Sequence, residues 1–105
     1  MIILAEEIVL EEGAIEGEGV REAIRIMEEE SRKESGCITY VFSIDITDST
    51  IMRIYECWQS MEALKAHFKA PHMAVFQKAL GGIQPKSMDA KVYEIKQELA
   101  FENLQ

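Results

Sequence analysis

The chain carries two histidines, His67 and His72, and both fall within residues 56–80 together with its one tryptophan, Trp58. Imidazoles beside aromatic rings are equipment for proton transfer in a small-molecule pocket. His67 follows Leu64 by three and precedes Phe68 by one, so helical geometry sets it at the edge of the face turned toward a sheet. There it has two readings. As a general base it takes a proton from a bound ligand; as a structural residue it hydrogen-bonds a carboxylate or carbonyl at the core margin. His72 follows Pro71 and opens a second helical piece, where it either aids a ligand or caps and packs. The two histidines are five apart with a proline between them, which does not match the i,i+4 pair of helical metal motifs. No cysteine or carboxylate cluster completes a metal site in the sequence, so neither metal nor cofactor is expected.

Trp58 and Glu56 are two apart and share a strand face. The indole is either a pocket wall with an N–H donor at its rim or a core aromatic at the strand-to-helix junction. Glu56, set among Ile54, Tyr55, Cys57 and Trp58, needs a partner if buried. An Arg or Lys at a subunit seam is the expected one, with orientation of a histidine as the other choice. If Ile46 pairs with Ile51, then Tyr40, Phe42 and Tyr55 fall on one sheet face, and Phe68 and Phe76 are available from the helix. Such a set suits a flat aromatic ligand, and it is also what an ordinary core looks like. The same register puts Cys57 opposite Tyr40 and Cys37 opposite Ser60, out of position for a bridge. We therefore expect two free thiols in a reducing compartment.

These residues have little chain to hold them. At 105 residues and 48% hydrophobic content, one domain with a modest core is expected, its core over about 1–98 and a short tail over 99–105. The net charge of −8 repels phosphate backbones and anionic lipid, so nucleic acid and membrane surfaces are set aside as partners. The opening Met-Ile-Ile-Leu-Ala run is too short for a signal peptide or a membrane span, which leads us to expect a cytoplasmic protein.

Hydrophobic patterning predicts a strand over 2–10 with both faces at least partly covered, a loop over 11–19, and a helix from Val20 that Gly36 stops. A half-buried strand over 37–46 follows, with Ile38, Tyr40, Phe42, Ile44 and Ile46 on one face. Turn residues over 47–50 lead into a strand over 51–58. Ser60 is a good N-cap for a second helix, which Pro71 breaks and Gly81-Gly82 ends. A last strand is read over 86–98. The order is strand, helix, strand, strand, helix, strand: a ferredoxin-like α+β fold, with one antiparallel sheet carrying both helices on one face. Apolar residues on both parities of the first strand call for a cover on the other face, and a second copy of the chain is the simplest, so a homodimer is expected.

Several of these residues resemble the antibiotic biosynthesis monooxygenase family. The resemblance rests on Glu34-Ser-Gly36-Cys37 leading into Tyr40, on Glu56-x-Trp58-x-Ser60-x-Glu62-Ala63, on Ala66-His67, and on Pro71-His72 with Phe76 one turn on. It implies a dimeric α+β barrel with a pocket between sheet and helices, used by monooxygenases that oxidise quinols or phenolic polyketides with O2 and no metal or flavin. Relatives of that fold include haem-degrading enzymes and an isomerase of a small phosphorylated sugar. The haem branch carries an Asn on the first strand, a Trp on the second helix and a His ten residues later. The matching positions here are Glu7, His67 and Gln77, so haem degradation is not expected.

The resulting expectation is a cofactor-independent monooxygenase acting on a quinol or related small phenol, with His67 as base and His72 assisting. Trp58, Tyr40, Tyr55, Phe68, Phe76 and Glu7 would contact the substrate. The alternatives are an isomerase or other proton-transfer enzyme on a small polar metabolite, and a ligand-binding module without catalysis.

Overall fold

Four strands form one antiparallel sheet in a computed structural model that describes all 105 residues. The strands are β1 (Ile2–Val9), β2 (Cys37–Asp45), β3 (Asp48–Trp58) and β4 (Ser87–Glu94), in the order β2-β3-β1-β4. Helix α1 (Val20–Arg32) links β1 to β2, and α2 (Met61–Phe68) with α3 (Pro71–Ala79) links β3 to β4. Short 3-10 turns occupy Ala14–Glu16 and Phe101–Leu104. This is the expected α+β ferredoxin-like fold, with the second helix divided in two.

Local chemistry explains the division and the junction before it. Ser60 takes an extended backbone and its hydroxyl accepts from the Ala63 N–H at 3.2 Å, capping α2 as the sequence predicts. Pro71 bars the helical conformation from Ala70, which is extended, and then supplies the fixed φ of the first turn of α3. The chain bends at that point, and the bend is what sets the end of α2 beside the start of α3.

The core lies between the helices and one sheet face, and consists of Ile2, Leu4, Met27, Tyr40, Ile54, Trp58 and Leu64. A smaller cluster of Leu10, Ile15, Val20 and Met52 closes one end.

The β2–β3 register differs by one from the assumed pairing: Ile44 faces Met52, Tyr40 faces Glu56 and Val41 faces Tyr55. The cause is the turn. Asp45 accepts from the N–H and hydroxyl of Thr47 at 3.1 and 2.8 Å, and Asp48 does the same for Thr50 at 3.0 and 2.6 Å. These paired bonds tighten the hairpin, so Ser49 and Thr50 belong to β3 and Ile46 sits at the tip, 98% exposed. A one-residue slip exchanges faces, which puts Tyr55 on the side away from Tyr40 and Phe42. A bulge between Cys37 and Thr39 sends Ile38 to that outer side too, where it joins Ile3 and Tyr55. Cys37 faces Trp58, Cys57 faces Thr39, and both are free thiols.

Strand β4 is the sheet edge beyond the helices, and all of its residues are exposed. It stops at Glu94, short of the expected 98. No helix is long and apolar enough to cross a membrane.

Candidate functional site

The bend at Pro71 brings both histidines to one carboxylate. His67 occupies the last turn of α2, His72 the first turn of α3, and Glu34 the short connection between α1 and β2. Oε2 of Glu34 accepts from Nδ1 of His67 at 2.6 Å and from Nε2 of His72 at 2.7 Å. An ionised carboxylate only accepts, so both of those ring nitrogens carry hydrogen. A neutral imidazole has one N–H, which leaves Nδ1 of His72 as the bare nitrogen of that ring.

Gly36 makes this possible. Its φ of +87° is a left-handed conformation that turns the chain from α1 into β2, and its carbonyl accepts from the Gln59 N–H at 2.8 Å. A Cβ there would lie 2.6 Å from Cβ of Ala63, so the absent side chain is also what lets the Glu34 loop approach α2.

Behind the Glu34 bridge lies a second carboxylate. His67 is 0% exposed; its Nε2 is buried without a hydrogen-bond partner and stands 3.9 Å from Oε1 of Glu56. Glu56 is itself 3% exposed and accepts from the indole N–H of Trp58 at 3.0 Å. Burial pushes its pKa up to about 7, the Trp58 bond pulls the other way, and the charges of Glu6 and Glu34 add to the rise. Near neutral pH the Glu56 carboxyl is thus divided between its acid and its ionised form. The expected cation at a subunit seam is not its partner: Glu56 faces the helices, as its pairing opposite Tyr40 and Leu4 requires.

The ring of His67 is enclosed by Trp58, Tyr40 and Phe68 at centroid distances of 4.8, 5.1 and 5.5 Å. Burial, followed by the Glu56 charge, raises the Tyr40 hydroxyl above its ordinary pKa, so it stays a phenol. Burial and the charges of Glu34 and Glu56 likewise hold Cys37 as a thiol, which removes it as a nucleophile.

A cavity of about 210 Å³ opens between α1 and α3, lined by Ala23, Ile26, Met27, His72, Val75 and Phe76 among others. The predicted residues therefore fall into three groups. His72 and Phe76 line the cavity. His67, Trp58 and Tyr40 are core residues behind it, and Phe68 lies against His67 with its own surface 54% exposed. Tyr55 and Glu7 are on the opposite sheet face, corrected there by the hairpin register and by strand parity; Glu7 pairs with Arg53 at 3.3 Å.

Two acids were not named as site residues from the sequence, although Glu34 stands in the motif that carries the family resemblance. Glu34 is the larger miss, since it completes the cluster of two imidazoles and a carboxylate that sequence spacing appeared to exclude. Its signal was its place just before Gly36, in the one sharp turn between α1 and β2. Glu6, on the helix-facing side of β1 where Glu7 is not, is half-buried and its carboxyl is raised by that burial.

The sheet and helices make a ferredoxin-like α+β domain with paired imidazoles beside an apolar cavity. The chain belongs to the antibiotic biosynthesis monooxygenase family, whose model matches residues 1–79. It is 34% identical over 67 residues to the uncharacterized protein sll1783 of Synechocystis, an alignment covering 64% of this chain and 46% of that protein. The chain spans about half the length of the curated relatives it matches. Among solved structures, a candidate antibiotic biosynthesis monooxygenase from Deinococcus radiodurans superposes with a TM-score of 0.82 at 20% identity, covering 96% of this chain and 98% of that one. A conserved protein of unknown function from Bacteroides thetaiotaomicron, for which an oxidoreductase role is suggested, gives 0.75 at 29% identity over 90% and 96%. Together these support a monooxygenase-like or small-molecule-binding role.

Proposed function

We propose that the domain oxidises a quinol or related small phenol with O2, without a cofactor, and that His72 accepts the phenolic proton. The observation that carries this reading is the bond from Nε2 of His72 to Glu34, which leaves the bare Nδ1 on a ring that lines the cavity. The placement favours His72 over His67 as the base, because His67 has no surface open to a ligand. Glu34 supplies orientation and charge: it fixes the His72 tautomer and stabilises the imidazolium that forms, as an acid does behind a catalytic histidine.

The chemistry closes without another reactant. A hydroquinone gives its proton to His72, the phenolate passes an electron to O2, and the resulting radical pair joins through a C–O bond as a peroxide anion. Cleavage of the O–O bond, with loss of the ring C–H proton and return of the proton held on His72, yields a hydroxyquinone and one water. One oxygen atom enters the product and the other leaves as water. The apolar lining by Ile26, Met27, Val75 and Phe76 suits a flat ring and disfavours a small polar metabolite. Oxygen uptake with a panel of hydroquinones, with product identified by mass after ¹⁸O2 labelling, tests the proposal. Uptake with one labelled oxygen per product is expected; no uptake with any member sinks it.

We also propose a homodimer formed through the outer sheet face. Ile3, Ile38 and Tyr55 lie exposed or half-exposed on that face, while β4 and the tail residues Leu99, Phe101 and Leu104 have no cover within one chain. A second copy would bury them. Sedimentation should give twice the 12.0 kDa chain mass, and a monomer at micromolar concentration would contradict it.

A further inference from the structure

The bridge through Glu34 poses a problem of proton placement. Oε2 of Glu34 lies 2.6 Å from Nδ1 of His67, so in a neutral ring the proton sits on Nδ1 and the buried Nε2 is a lone pair turned toward Glu56 with no donor to meet it. Moving the proton to Nε2 provides Glu56 with a donor but sets the Nδ1 lone pair against Glu34. A neutral His67 cannot satisfy both groups when Glu34 and Glu56 are ionised. A cation on Nδ1 would.

We propose that Glu34, His67 and His72 bind a divalent first-row transition-metal ion through one carboxylate oxygen, Nδ1 of His67 and Nε2 of His72. These three atoms lie within 4.8 Å of one another. Two imidazoles and one carboxylate are a donor set that suits zinc, iron(II) and related ions. Metal–ligand bonds of about 2.0–2.2 Å place tetrahedral ligands about 3.4 Å apart, so the ion needs the present 2.6 and 2.7 Å contacts to open by under about 1 Å. Glu34 and His72 have room for that, with side chains 14% and 16% exposed. With the ion on Nδ1, the His67 proton resides on Nε2 and points at Glu56. That turns the His67 N–H toward Glu56, 3.9 Å away, in the place of the outer carboxylate that commonly steadies a metal-bound histidine. The Trp58 indole then steadies Glu56 in turn.

Metal and phenol chemistry exclude one another here. A cation on Nε2 of His72 leaves the ring proton on Nδ1, the nitrogen the proposed reaction needs bare. The metal-bound form is the off state of that reaction, while binding itself is measured without turnover and does not depend on the reaction being correct.

The test is titration of the chelator-treated full chain with Zn²⁺ by calorimetry and with Co²⁺ by its visible absorption. One ion per chain is expected. Glu34→Gln and His72→Gln should each weaken binding about 100-fold as lost ligands, and Glu56→Gln about 10-fold as a lost outer partner. Asp89→Asn, exposed on β4, should leave it within about twofold. His72→Gln carries the test if Glu34→Gln does not fold, because His72 is only partly buried. Absence of stoichiometric binding overturns the proposal, as does binding that a folded Glu34→Gln or His72→Gln variant retains.

Discussion

Glu34→Gln is expected to lower hydroquinone-dependent oxygen uptake by about 10²-fold or more, the usual scale for a compromised general base. The amide keeps an oxygen for the two histidines but loses the charge that makes these bonds strong and that offsets the imidazolium formed on His72. It can also turn its NH2 toward His72 and reverse the tautomer, leaving Nδ1 protonated and unable to accept. Glu34→Ala goes further. It deprives the buried Nδ1–H of His67 and the partly buried Nε2–H of His72 of their acceptor, at roughly 1–3 kcal/mol for a fully buried donor and less for an exposed one. A combined loss of about 2–3 kcal/mol should appear in denaturant midpoints alongside the loss of uptake. Normal uptake in a folded Glu34→Gln variant would remove Glu34 from the mechanism.

Gly36→Ala should be strongly damaging although the residue touches no ligand. Two costs add at this position. The φ of +87° strains any residue with a Cβ, by about 1 kcal/mol or more. The new methyl would also meet Cβ of Ala63 at 2.6 Å, and relieving such overpacking costs about 1–3 kcal/mol. A sum of about 2–4 kcal/mol corresponds to a fall in Tm of roughly 10–25 °C in a domain of this size. The two costs separate experimentally: adding Ala63→Gly should recover the steric part and leave the conformational part. A Tm within about 2 °C of the parent would show that the loop relaxes freely, and then Gly36 does not hold Glu34 against the α2–α3 bend.

The element order, the Ser60 cap and the break at Pro71 were legible because each rests on a few neighbouring residues. Periodicity and local backbone chemistry decide them. What the sequence concealed depended on distance or on a single-residue count. Glu34 is 33 positions from His67, and no local pattern reports a contact that a left-handed glycine and a bend between helices create. The β2–β3 register turned on two Asx bonds at Asp45 and Asp48, and one position was enough to move Tyr55 away from the cavity side. Glu7 and Glu6 were exchanged by the same parity problem on β1. Trp58 and His67 were singled out as chemically useful, and nothing in their spacing could show that each is fully enclosed. His72, the weaker candidate by sequence, gained its place because α3 turns it toward α1.

The pairing of both imidazoles with Glu34 can be observed directly by long-range ¹H–¹⁵N correlation NMR of the histidine rings in metal-free protein, at a pH where His72 is neutral. The predicted result is His72 as the Nε2–H tautomer with a bare Nδ1, His67 with hydrogen on Nδ1, and two strongly deshielded N–H protons that both vanish in Glu34→Ala. Finding His72 as the Nδ1–H tautomer would contradict it, because the nitrogen proposed as the base would then have no capacity to take a proton.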